Sequence, residues 1–123
     1  MEQTTAALAG LLAFAAPADT LAPYGWEARP IVVFAAAGDP RLARQMAEFA
    51  GAAAALRDRR NVIVVDTNEG SALRSRFAPD GFTVILVGLD GGEKARERGV
   101  VAGGVFNDAI DAMPMRRWRL DAD

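Results

Sequence analysis

From residue 29 onward, apolar runs of strand length alternate with segments of helical period, the pattern of a sheet covered by helices. Residues 31–35 (IVVFA) and 62–65 (VIVV) are rich in β-branched side chains and show no polar alternation, as strands buried on both faces do. Between them Asp39 suits an N-cap and Pro40 the first helical position, where its missing N–H costs nothing. Leu42, Met46, Phe49, Ala53 and Leu56 follow at spacings of four and three, which predicts one helix whose apolar face covers the sheet. A strand–helix–strand unit of this kind brings its two strands parallel.

A short helix is predicted over residues 71–77, and a third buried strand over residues 83–87 (TVILV). Leu89-Asp90-Gly91-Gly92 is a tight-turn sequence that returns the chain as a hairpin. The returning strand, residues 93–98 (EKARER), is almost entirely charged, which suits an edge position. After the glycine-rich residues 99–104, Phe106, Ile110 and Met113 line one face of a last helix, which Pro114 ends or kinks. The expected division is an N-terminal segment over 1–28, a folded domain over 29–113 and a tail over 114–123.

The order strand, helix, strand, helix, hairpin, helix resembles the thioredoxin-like α/β fold, with a central sheet of about four strands. Val32-Val33-Phe34-Ala35 looks like the first core strand of a thioredoxin, and Thr83-Val84-Ile85-Leu86 with Asp90-Gly91-Gly92-Glu93 like its later hairpin. More narrowly, four segments resemble a family of uncharacterised domains: Tyr24-Gly25-Trp26-Glu27-Ala28-Arg29-Pro30, Asp39-Pro40-Arg41-Leu42, Asp80-Gly81-Phe82-Thr83 and Ile110-Asp111-Ala112-Met113-Pro114-Met115-Arg116. The resemblance implies a short exported bacterial protein, related to a domain in sushi-repeat-containing extracellular proteins, and supplies no enzymatic activity to transfer.

Composition sharpens the resemblance by what it removes. In a thioredoxin the redox pair stands in the turn from the first strand into the first helix. Here that turn reads Ala36-Ala37-Gly38-Asp39-Pro40-Arg41-Leu42, and the chain has no cysteine at all. Disulfide exchange needs a thiolate, so this chemistry is excluded. The proline expected before the third strand is also missing, its place taken by Gly81 or Phe82. With no histidine either, a typical zinc site is out of reach.

At 123 residues the chain has the length of one core, and 51% apolar with 24% charged residues is an ordinary globular balance. A net charge of -2 gives no footprint for nucleic acid. The apolar run at residues 6–16 is too short to span a bilayer, which argues against stable membrane insertion. That run ends in an A-x-A pattern at Ala13 and Ala15, as an export signal does, but residues 1–5 lack a basic residue. A periplasmic or secreted location is the expectation, with a cytoplasmic protein bearing an N-terminal helix as the alternative.

For chemistry, Asp39 and Asp66 lie just past the carboxyl ends of two expected parallel strands, where open α/β sheets bind ligands. With Glu69 or Asp80 they could hold Mg²⁺ or Ca²⁺ for hydrolysis or phosphoryl transfer, although helix and turn capping accounts for both more economically. Residues 99–104 lack the spacing and the lysine of a phosphate loop. Arg116, Arg117, Trp118 and Arg119 form a basic and aromatic cluster that could meet an acidic partner or be a solvated tail. Tyr24 and Trp26 either cap the core or form a contact spot, and Met113-Pro114-Met115 leaves the same choice open. The expected function is a noncatalytic, non-redox module without cofactor or metal, binding a protein or small molecule through Asp39, Arg41 and Asp66 or through Met115 and Arg116. Dimerisation through the last helix or an unpaired sheet edge is a further possibility.

Overall fold

The structure, a computed structural model, describes residues 14–15 and 21–114. Five strands form one sheet: β1 (Phe14–Ala15), β2 (Arg29–Phe34), β3 (Asn61–Asp66), β4 (Thr83–Val87) and β5 (Glu93–Arg98), in the order β1-β3-β2-β4-β5. β2 and β3 are parallel, with Ile31 opposite Ile63 and Phe34 opposite Asp66. β4 runs antiparallel to β2 and β5 antiparallel to β4. Helices α1 (Pro40–Gly51), α2 (Ala53–Asp58), α3 (Ala72–Phe77) and α4 (Asn107–Asp111) join or follow the strands. The four expected strands and their β-α-β-α-β-β-α order are therefore present in a thioredoxin-like α/β fold. Among the described residues no helix is long and apolar enough to cross a membrane.

The alternation of side chains along the central strands builds a core on each face of the sheet. Ile31, Val33, Ile63, Val84 and Leu86 point to one side, where they meet Phe49 of α1, Leu56 of α2 and Ile110 of α4. Val32, Phe34, Val64, Ile85 and Val87 point to the other, against Leu73 and Phe77 of α3 and against Leu21. The rings of Phe34 and Phe77 lie 6.1 Å apart and tilted by 54°, within the range of favourable aromatic pairs. Two-sided burial is why the middles of β2, β3 and β4 are apolar without alternation. Pro30 is compatible with a central strand because pairing to β4 begins only at Ile31.

The long helix expected from Pro40 to Leu56 is interrupted at Ala52, whose N–H bonds back to Phe49 at 3.0 Å rather than to Glu48. The glycine-rich segment crosses the helix at this point. A Cβ built on Gly103 would stand 2.1 Å from the Glu48 carbonyl oxygen, so the loop backbone lies directly on the helix backbone. Gln45, fully buried, fixes this crossing: its amide donates to the Val101 carbonyl at 3.0 Å and accepts from the Val101 N–H at 2.8 Å. Glu48 adds a bond from the Gly103 N–H at 3.0 Å. The loop is a structural clamp, with the amides of Val101 and Gly103 committed to α1.

One strand was not anticipated. Phe14 and Ala15 pair parallel with Ile63 and Val64 of β3, inside the apolar run considered above as an export signal.

Candidate functional site

The carboxyl end of β2 opens into the turn that in a thioredoxin holds the thiols. Asp39 ends this turn as the N-cap of α1, its side chain accepting from the Arg41 N–H at 2.9 Å. The same carboxylate grips the Arg41 guanidinium at two points, Nη2 to Oδ2 at 2.7 Å and Nε to Oδ1 at 3.1 Å. The side chain of Asp39 is 8% exposed and that of Arg41 46%, so the pair shows mostly the arginine to solvent. The guanidinium lies 5.0 Å from the ring centre of buried Phe82, a cation–π arrangement. Phe82 follows Gly81, which turns into β4 at a φ of +69°, and no peptide bond among the described residues is cis. Arg41, in the turn out of β2, and Phe82, just before β4, therefore touch.

The hydrogen bonds from Arg41 hold the Asp39 carboxyl below its ordinary pKa, and the same contact raises that of Arg41. Both groups stay charged across the neutral range. The corner presents a fixed, planar cation whose Nε and one Nη2 donor are held by Asp39, leaving its remaining N–H donors to suit a carboxylate or phosphate.

The end of β3 is organised differently. Asp66 is fully buried, accepting from Ser71 Oγ at 2.5 Å and from the Asn68 N–H at 2.9 Å. Ser71 in turn caps α3 by accepting from the Arg74 N–H at 3.0 Å. Arg74 reaches back across the strand ends, donating from Nη2 to the carbonyls of Ala35 at 3.2 Å and Asp66 at 3.0 Å. Its guanidinium lies 5.4 Å from the Phe34 ring centre and 3.8 Å from the Asp66 carboxylate. In effect, Arg74 plugs the crevice between the parallel strands where many α/β sheets bind ligands.

Of the expected site residues, Asp39 and Arg41 come together at an exposed corner. Asp66 belongs to an internal network instead, with its carboxylate turned inward. Glu69 is exposed, and Asp80 pairs with Arg98 at 3.3 Å, so neither joins the two aspartates. Among the described residues no three acidic side chains gather as a cation site. Met115 and Arg116 lie outside the described residues. Tyr24 is half-buried against the Leu21 side of the core, whereas Trp26 is 63% exposed. The contacts by which Phe82 and Arg74 shape the two strand ends gave no local signal in the sequence, because their partners lie 41 and 39 residues away.

No curated protein, sushi-repeat-containing or other, matches the chain. Residues 20–119 match the model of a domain of unknown function, DUF4174, taking in both strand ends and all four helices. The chain therefore belongs to the DUF4174 family of domains.

Proposed function

We propose that this domain is a noncatalytic binding module that engages an acidic group of a protein or small-molecule partner at the Asp39–Arg41–Phe82 corner. The observation that supports the reading is the state of Arg41. It is clamped on one edge by Asp39, backed by Phe82 and half open to solvent. A guanidinium held in this way loses little rotamer freedom when it meets a carboxylate, which is what preorganised recognition requires. With no cysteine there is no thiol to exchange at this corner.

Affinity capture from native extract on immobilised wild-type protein and on Arg41→Ala, followed by titration of the captured molecule, tests the proposal. Arg41→Ala should weaken binding by at least about tenfold, the scale of one lost charge-assisted hydrogen bond, with an unchanged circular dichroism spectrum. Equal affinity for both proteins would rule out the corner.

We also propose export of the chain, on the strength of the A-x-A pattern at Ala13 and Ala15. Intact-mass measurement of material recovered outside the cytoplasm should show a chain beginning at Ala16, and recovery only of full-length cytoplasmic protein would refute it. Cleavage at that point would also remove β1 from the edge of β3.

A further inference from the structure

Among the described residues β5 is the outermost strand at its end of the sheet, and five of its six residues are exposed, so no described segment covers its open edge. The register fixes which residues line that edge. The Gly99 N–H donates to the Phe82 carbonyl at 2.9 Å, just beyond the pairing of Arg98 with Thr83. Successive residues of an antiparallel ladder turn their N–H and C=O groups to opposite sides. Ala95 and Glu97 therefore bond towards β4, whereas Arg96 and Arg98 turn their backbone groups outward.

The same alternation sorts the side chains. Arg96 stands opposite Ile85 and Arg98 opposite Thr83, on the face of the sheet that α3 covers, and Arg96 donates there to the Phe77 carbonyl at 2.6 Å. Ala95 stands opposite Leu86 and Glu97 opposite Val84 on the other face, where Ala95 packs against the core. The Arg98 side chain is 69% exposed and pairs at 3.3 Å with an Asp80 carboxylate that is itself 80% exposed, a contact easily exchanged for another. An edge that only repels other strands needs charge in any order. Here both residues with outward backbone groups are arginines, on one face, and a small apolar residue and a glutamate hold the other.

From this we infer that β5 accepts a further antiparallel strand from another protein: an extended segment with acidic residues opposite Arg98 and Arg96, a basic residue opposite Glu97 and a small apolar one opposite Ala95. Main-chain hydrogen bonds to Arg96 and Arg98 supply the affinity, and the order of charges selects the partner and its register. This edge can be filled whether or not the Arg41 corner is.

The probe is a fluorescein-labelled, end-capped peptide Thr-Val-Glu-Lys-Glu-Val-Thr, whose Glu-Lys-Glu-Val run complements Arg98-Glu97-Arg96-Ala95 in antiparallel order. Its control exchanges every Glu for Lys and the Lys for Glu. Fluorescence anisotropy with the full chain should show saturable binding of the probe below about 1 mM, the weak end of specific association. The control should bind roughly tenfold more weakly, because its cross-strand charge pairs are all repulsive. In Arg98→Glu that ratio should shrink by roughly threefold, one charge pair having changed sign. In the wild-type protein saturated with probe, hydrogen exchange of the Arg96 and Arg98 amides should slow by at least about tenfold, and that of the Ala95 and Glu97 amides by less than about twofold. Equal affinity for the two peptides, no saturable binding of either, or slowed exchange at another strand in place of β5 would each overturn the inference. Slowing that grows with protein concentration in the absence of peptide would place a second copy at this edge and would also refute it.

Discussion

The contact between the glycine-rich loop and α1 makes a sharp prediction about three glycines. In Gly103→Ala the new methyl would stand 2.1 Å from the Glu48 carbonyl oxygen and 2.9 Å from both the Glu48 carbonyl carbon and Ala52 Cβ. Two of these three atoms are backbone, so nothing can swing aside and loop and helix must part by about 1 Å. Overpacking of this kind costs about 1–3 kcal/mol. Parting also stretches the two Gln45–Val101 bonds, each contributing about 1 kcal/mol. A total near 3 kcal/mol should lower the melting temperature by roughly 12 °C or more in a domain of this size. Gly104→Ala meets Asn107 Nδ2 at 2.8 Å, the far end of a side chain that can rotate, and should cost less than about 1 kcal/mol. Gly51→Ala meets nothing within 4 Å at the end of a helix and should stabilise by about 0.5 kcal/mol. Urea unfolding followed by circular dichroism would give all three values. If Gly103→Ala costs no more than Gly104→Ala, the loop does not bear on the helix as described.

Two further outcomes follow from the charged groups. Asp66→Ala leaves the Ser71 hydroxyl and the Asn68 N–H without their acceptor and should destabilise by about 2–4 kcal/mol; a loss under about 1 kcal/mol in urea unfolding would contradict the burial of this network. The carboxyls of Asp39, Asp90 and Glu93 are held below their ordinary pKa, chiefly by hydrogen bonds from Arg41, from the Gly92 N–H with Lys94, and from Arg96 respectively. A carboxyl depressed in the folded state contributes stability above its unfolded pKa and loses it as pH falls through the folded one, so urea midpoints should fall below about pH 4. With no histidine or cysteine, the midpoints should be flat between pH 6 and 9. A titration of stability centred near pH 7 would be incompatible with this composition.

What could be read from the chain followed the range over which each signal acts. β2, β3 and β4 were legible because burial on both faces leaves continuous apolar runs, and the start of α1 because Asp39 and Pro40 state it locally. The break in α1 was not, since a glycine 51 residues after Ala52 crosses the helix there, and periodicity holds no record of that crossing. β1 spans two residues in an alanine-rich run whose composition fits a helix, a signal or a strand equally. At the site, Asp39 and Arg41 are near neighbours and were found together. Asp66 was correctly placed at a strand end, but its burial depends on Ser71 and Arg74, whose side chains meet it only after α3 forms. Phe82 was visible as a departure from the thioredoxin pattern, and its contact with Arg41 was not.

The charges of β5 bear on how the sheet ends. A second copy adding antiparallel to this edge must be related by a two-fold axis through the sheet, which keeps each side chain on its own face and so pairs residues of the same parity. Centred on Arg96, such a ladder sets Arg96 against its own copy. Centred on Glu97, it opposes Glu97 to itself and Arg96 to Arg98. Each of these registers aligns like charges, which are destabilising when directly opposite. The order of signs along the charged residues of β5 therefore turns an open row of backbone donors and acceptors into a boundary against its own kind, while leaving it available to a strand of different charge.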